Sequence, residues 1–189
     1  MHSLIEYELL MADIDQRCRE ILDRFENQIN CVRGCKGNCC RIHLSISAVE
    51  AFRLSVALGA YPRHRRTKIQ ASAARASTAD PCPLLDQGAC SMYADRLLLC
   101  RTHGLPMRHH YRGNPSVGCC QKNFRRQPSI PDDACIDLDR LNARLADINR
   151  RFLSEYRGSP PLRQRYLIGE ALLLGFDSPG RCDRHRVHS

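Results

Sequence analysis

Twelve cysteines in 189 residues constrain this chain more than any other feature of its sequence. Ten of them fall into three groups: Cys31, Cys35, Cys39 and Cys40; then Cys82, Cys90 and Cys100; then Cys119, Cys120 and Cys135. A chain of this length can bury a hydrophobic core without cross-links, so the cysteines are not needed to offset small size. Cysteines clustered in this way are typical of thiolate metal sites.

The compartment expected for the chain supports the same interpretation. The first ten residues mix acidic with apolar side chains, unlike a secretory signal peptide, and no segment approaches the length of a membrane span. We therefore expect a cytoplasmic protein without membrane contact, in which thiols stay reduced. The alternative is that the cysteines are inert structural thiols or form adventitious disulfides.

Hydrophobic periodicity predicts a mainly α-helical fold. Residues 3–30 form an amphipathic helix in this prediction, with one apolar face made of Tyr7, Met11, Ile14, Cys18, Ile21, Phe25 and Ile29. Ser47 and Glu50 form a capping box that predicts a second helix to Gly59. Helices are also predicted over the basic segment 63–78, over 137–157, and from Ser159-Pro160 to Gly175.

The segment 79–136 differs in kind, because prolines and glycines recur along it and no strand pattern is evident. A loop this long needs something to hold it, and a metal is the natural clamp. The predicted organisation is an N-terminal amphipathic helix (1–30), a cysteine-cluster metal-binding region (31–136), a C-terminal helical pair (137–175) and a disordered tail (176–189). In short, we predict a small helical domain with an irregular, metal-organised cysteine-rich loop region.

The formal net charge of +9 has two interpretations. A four-thiolate site with a divalent metal carries a net charge of about −2, and nearby arginines would offset it. A basic balance is also typical of nucleic-acid-binding proteins. The charge alone does not decide between them.

Four motifs in order carry a resemblance to a known family: Cys31-x3-Cys35-x3-Cys39-Cys40, Cys82-Pro-Leu-Leu-Asp86, Cys90-Ser-Met-Tyr93 and Arg96-x3-Cys100-Arg101. Over roughly residues 31–104 the chain resembles the YkgJ-type cysteine-cluster proteins, small bacterial proteins described as zinc- or iron-chelating. The resemblance implies that these seven cysteines are ligands of a zinc or iron site. Two departures are the three-residue spacing before Cys35 and Leu97 in place of the usual proline. An eighth ligand would come from Cys119, Cys120 or Cys135.

Four residues near the cysteines are candidates for supporting the site. Arg96 and Arg101 flank Cys100 and would neutralise thiolate charge or donate to sulfur; the alternative is that they form surface salt bridges. Tyr93 is expected to pack over the site, and His103 is a possible mixed ligand because imidazole suits zinc and iron.

Three functions follow as hypotheses. The first is a zinc- or iron-binding protein, in its iron–sulfur form with an electron-transfer or redox role. The second is a protein-modifying enzyme, since a related cysteine pattern occurs in bacterial flagellin lysine methylases, although no glycine-rich cofactor loop is evident. The third, less favoured, is nucleic-acid binding through Arg63, Arg65, Arg66, Lys68 and Arg75, where stacking aromatics are missing. No substrate or protein partner can be named from the sequence.

Overall fold

The computed structural model describes residues 1–30, 38–41, 44–77, 81–125, 129–159 and 161–176. Over these ranges the protein is mainly α-helical, as predicted. The helices are α1 (His2–Arg24), α2 (Ala48–Gly59), α3 (Arg63–Arg75), α4 (Leu98–Thr102), α5 (Leu138–Glu155) and α6 (Ile168–Leu173). The strands are β1 (Ser45–Ser47), β2 (Leu85–Asp86), β3 (Ala89–Cys90), β4 (Met107–Tyr111), β5 (Asn114–Gly118), β6 (Ile136–Asp137) and β7 (Arg165–Leu167).

The long helix α1 buries the face predicted from its periodicity, from Tyr7 through Phe25. It ends at Arg24 rather than near residue 30, and a short 3-10 helix, Glu26–Gln28, follows. The early end has a tertiary reason: the Gln28 carbonyl accepts the Phe124 N–H at 2.8 Å, so this part of the backbone is bonded to a distant loop.

Helix α2 begins at the predicted capping box. The Glu50 carboxylate accepts the Ser47 N–H at 3.0 Å and the Ser47 hydroxyl at 2.7 Å, which bonds a backbone donor that the helix itself leaves free. The predicted helices over 63–78 and 137–157 are present as α3 and α5. The Asp137 side chain accepts the Arg140 N–H and thereby caps α5.

The predicted start of the last helix at Ser159-Pro160 is wrong. Residues 165–167 form β7, which pairs antiparallel with β1, placing Tyr166 opposite Ile46. The helix α6 then starts at Ile168, where Glu170 accepts the Leu167 N–H at 2.7 Å. Tyr166, Ala171 and Leu172 of this segment are buried, but Tyr166 lies on the strand rather than on a helix. Pairing with β1 satisfies backbone groups that a helix would otherwise have bonded internally.

The prediction that 79–136 lacks strands is also wrong. Strands β2 and β3 form a hairpin through Gln87 and Gly88, whose φ angles are 48° and 82°. Strands β4 and β5 form another through Arg112 and Gly113, with φ angles of 51° and 82°. Two consecutive positive φ angles are characteristic of the type I′ turn, whose twist suits two-residue hairpins. The parallel pairing of β4 with β6 completes a three-stranded sheet in the order β5-β4-β6.

The core lies between α1, α2 and α5. Phe152 is fully buried and its ring lies 5.4 Å from that of Phe52. Phe176 completes this aromatic group, 5.0 Å from Phe52, so the first residue of the predicted tail packs on the core. The remainder of that tail, 177–189, lies outside the described residues. No helix in the described ranges has the length and apolar character to cross a membrane.

Candidate metal centre

Backbone contacts bring together the chain segments that carry Cys40, Cys82 and Cys90. The Cys82 N–H donates to the Cys40 carbonyl at 2.8 Å, which joins the short helix Asn38–Arg41 to the start of the β2–β3 hairpin. Within that hairpin Cys90 pairs with Leu85, three residues after Cys82. The tight turn at Gln87-Gly88 thus returns the chain so that Cys90 lies near Cys82.

Cys100, on α4, completes what we call the four-thiol cluster: Cys40, Cys82, Cys90 and Cys100. None of the four is in a disulfide. The pKa of the Cys100 thiol is raised to about 12, mainly by burial and in addition by negative charge on Cys82, Cys90 and Cys40. The same causes act on Cys82, whose pKa rises to about 11 by burial and by the nearby Cys40 and Cys90. These mutual effects place the four sulfurs within electrostatic reach of one another.

The raised pKa values have a chemical consequence. At neutral pH the Cys82 and Cys100 thiols are protonated, so they are poor nucleophiles in this state. A soft divalent metal reverses this, because its charge deprotonates a coordinating thiol.

Arg96 and Arg101 flank Cys100, and both donate hydrogen bonds to backbone carbonyls. Arg96 stacks 3.8 Å above the Tyr93 ring and donates to the Cys100 carbonyl at 3.3 Å. Its charge lowers the pKa of the Cys40 thiol, against the larger raising effect of burial. Arg101 donates to the Arg96 carbonyl at 2.7 Å and forms an ion pair with Asp15 of α1. The two arginines thus connect the cluster to the helical core.

Glu50 is a further residue that positions Cys100, although the sequence indicated it only as a helix cap. It is 5% exposed, and besides the two bonds from Ser47 it accepts the Leu98 N–H at 3.4 Å. Leu98 is the first residue of α4, so one carboxylate contacts the start of both α2 and the helix that carries Cys100. Its negative charge also raises the pKa of Cys100. The capping-box motif revealed the first role, but nothing in the sequence indicated the second.

Cys119, Cys120 and Cys135 form a separate group, which we call the 119–135 thiol group. Gly118 and Ile136 both pair with Met107, on either side of β4. The cysteines next to them, Cys119 and Cys135, therefore lie at the same end of the three-stranded sheet. The pKa of Cys135 is raised by burial, and charge on Asp132 and Cys119 raises it further, against the lowering effect of Arg108. The Cys120 N–H donates to the Gly104 carbonyl at 3.3 Å, four residues after Cys100, so the two groups are neighbours.

Asn123, which the sequence did not single out, joins this group to the first cysteine motif. Its side chain is buried, accepts the Asn30 N–H at 2.8 Å and donates to the Gly104 carbonyl at 2.5 Å. Asn30 immediately precedes Cys31. The chain therefore enters the first motif beside the 119–135 thiol group and leaves it at Cys40 in the four-thiol cluster.

The remaining candidates are placed as follows. Cys31 and Cys35 lie outside the described residues, and Cys39 belongs to the short helix Asn38–Arg41. His103 is exposed at the end of α4. In the ranges that the structure describes, no three histidine, cysteine or acidic side chains are arranged to hold one ion. Thiol sulfurs are ligands that zinc and iron bind. A complete coordination sphere would need further ligands from the first motif, or a rearrangement that brings the four thiols closer to one another.

Comparison with known proteins gives no match to a family model, to a curated protein or to a solved structure.

Proposed function

We propose that this protein binds zinc or iron through its clustered cysteines, and that the metal organises the region 31–136. The observation that carries the proposal is the convergence of Cys40, Cys82, Cys90 and Cys100 from separate segments without disulfides. Four neighbouring, partly buried thiols outside disulfides offer the soft sulfur ligands that zinc and iron sites use. The motif resemblance to YkgJ-type proteins supports the same conclusion.

In this proposal the four-thiol cluster supplies thiolate ligands, and Cys31, Cys35 and Cys39 complete the set. The 119–135 thiol group is the source of any further ligand. Arg96 offsets thiolate charge, while Glu50 and Arg101 hold α4 in place. Bound iron with sulfide would supply one-electron redox chemistry, and zinc would supply a structural or Lewis-acidic centre. The proposal requires a compartment that keeps thiols reduced, such as the cytosol.

The test is metal analysis of protein purified without oxygen, together with its visible spectrum. Iron with acid-labile sulfide and a brown colour would indicate an iron–sulfur centre. Stoichiometric zinc without colour would indicate a zinc site. A folded protein without either metal would contradict the proposal.

Cysteine variants test the ligand assignment. We expect Cys39→Ser and Cys100→Ser to lose metal and to make 79–136 more susceptible to protease. Cys18→Ala is the matched control, because Cys18 is a buried thiol on α1 outside the cluster, and Cys182→Ser is a second control. Both controls should keep the metal. Equal metal content in ligand and control variants would reject the assignment.

A further inference from the structure

Helix α3 is unusual in its charge. Over Arg63–Arg75 it has five Lys or Arg side chains and one histidine, and it has no acidic residue. Acids are favoured in the first turn of a helix because of the helix dipole, but α3 begins Arg-His-Arg-Arg. Positive charge in the first turn is unfavourable for the helix dipole, so this arrangement is not explained by helix stability.

The rest of the described chain compensates only part of this charge. Lys68 pairs with Asp86 at 2.7 Å, and Arg65 stacks 4.6 Å from the Tyr61 ring, beside Asp95. Within the described ranges, the side chains of Arg63, His64 and Arg75 have no hydrogen-bond or ion-pair partner. Arg63 and Arg75 therefore face solvent, while Arg65 and Arg66 donate to the Ser91 and Gly59 carbonyls.

The helix presents these cations on one surface. Ile69 and Ala73 are the buried residues of α3, which packs against α6. The outward stripe consists of His64, Lys68, Ala71 and Arg75, four and three residues apart, and spans about 17 Å at the helical rise. Arg63 lies beside its first turn. Small side chains between the cations (Thr67, Ala71 and Ala74) leave room for a close approach.

We propose that this exposed face of α3 binds the phosphate backbone of nucleic acid without sequence preference. Arginine contacts phosphate with two parallel hydrogen bonds, and the exposed Arg63 and Arg75, with Lys68 between them, extend over about 18 Å, the length of several successive phosphates. The cores of protein interfaces are enriched in aromatic and methionine side chains, but the outward face of α3 has neither. The chemistry thus favours nucleic acid over an acidic protein. Contacts to phosphate carry no sequence information, which explains the expected lack of sequence preference.

The binding face adjoins the four-thiol cluster. Arg65 donates to the Ser91 carbonyl at 2.9 Å, and Lys68 binds Asp86, so α3 is attached to the β2–β3 hairpin at two points. A bound strand would lie on the side of the molecule that carries Cys90. The inference does not depend on a bound metal, because no residue of α3 is a candidate ligand.

The test is fluorescence anisotropy with labelled 20-nucleotide duplex and single-stranded DNA and RNA, using the full chain from 50 to 200 mM NaCl. We expect binding that weakens steeply with salt. In Arg63→Gln/Arg75→Gln, the loss of two phosphate contacts should make the slope of log K against log salt shallower by about 1.8 for duplex. We expect affinity at 50 mM to fall by about ten-fold. Arg63→Lys/Arg75→Lys should retain most of the binding.

The matched control is Arg19→Gln/Arg140→Gln, which removes the same charge from exposed positions on α1 and α5. It should leave the affinity within about three-fold of the wild type, since salt-dependent binding follows contacts rather than total charge. Equal weakening in the two variants, or no wild-type binding at 50 mM, would overturn the proposal. Equally tight binding of polyglutamate, lost in the same variant, would assign the surface to an acidic protein instead. Metal content should be unchanged throughout, which separates this result from the metal proposal.

Discussion

Glu50 shows how one side chain acts on two elements. Its carboxylate is buried and accepts hydrogen bonds from Ser47 and from the Leu98 N–H. Hydrogen bonds to a charged acceptor contribute more than neutral ones, and a buried donor left without a partner is costly. The loss of this carboxylate should therefore affect α2 and α4 together.

We predict that Glu50→Ala lowers the free energy of unfolding by about 2–3 kcal/mol, measured by urea denaturation. Glu50→Gln should also destabilise, because its amide NH2 would face donors. Glu20→Ala is the control: Glu20 is exposed on α1, and its loss should cost less than about 0.5 kcal/mol. If Glu50→Ala is no worse than this control, the carboxylate does not hold the two helix starts.

At the level of elements, the two-residue hairpins determine where the cysteines meet. The β2–β3 turn works only if Gln87 and Gly88 both adopt positive φ. Such angles are strained for residues with a Cβ, and glycine adopts them freely. The turn therefore links a backbone property of two residues to the proximity of Cys82 and Cys90.

Gly88→Ala should destabilise the protein by about 1–2 kcal/mol and weaken metal binding, because its φ of 82° is strained for alanine although space for the methyl group is free. Gly59→Ala is the matched control for Gly88→Ala. A methyl group on the Gly59 Cα would also meet no atom within 4 Å, but Gly59 lies in α2 without a positive φ. That variant should be neutral or slightly stabilising in thermal unfolding. Equal behaviour of the two would contradict the turn argument.

A pH-dependent contribution is expected at the start of α6. The Leu167 N–H and Arg163 hold the pKa of Glu170 below its usual value of 4.5. A carboxyl with a lowered folded-state pKa stabilises fully above the unfolded value and loses this effect as pH falls through the folded value. Glu170→Gln should thus be less stable by about 0.5–1 kcal/mol at pH 7. The difference should shrink below pH 4.5 in denaturation curves. A difference that grows on acidification would have the wrong sign.

The whole molecule combines a helical core with a cysteine-rich region attached to it. The core rests on aromatic and aliphatic packing, as at Phe52 and Phe152. The cysteine-rich region has two small hairpins and a five-residue helix, and its Met92, Leu98 and Leu105 are buried in the same hydrophobic cluster. Polar contacts also attach it to α1 and to Asn30, through Arg101–Asp15 and Asn123.

Removal of metal by a chelator should affect the two parts differently, because all the proposed ligands lie between Cys31 and Cys135 and none lies in α1, α2 or α5. We expect amide hydrogen exchange to rise first over 81–125, while α1, α2 and α5 stay protected. If exchange rises uniformly along the chain, the protein opens as one cooperative unit, and the division into a helical core and a cysteine-rich region is contradicted. Unchanged exchange in a protein that has lost its metal would show that the metal does not organise the region.

The sequence by itself determined the helices whose signals are local. The apolar stripe of α1, the capping box of α2 and the cap at Asp137 rest on residues three or four apart, so they could be predicted without knowledge of the fold. The cysteine groups were visible for the same reason. The positive φ values at Gln87 and Arg112 escaped prediction, because neither residue is a typical turn former.

Only the tertiary structure decided which groups meet. Strand β7 replaces the first part of a predicted helix because β1, far away in sequence, offers backbone partners. Cys100 comes near Cys82 because Glu50 and Arg101 hold α4, and Asn30 comes near Cys120 through Asn123. These contacts join residues tens of positions apart, and their free energy depends on burial that no local pattern encodes.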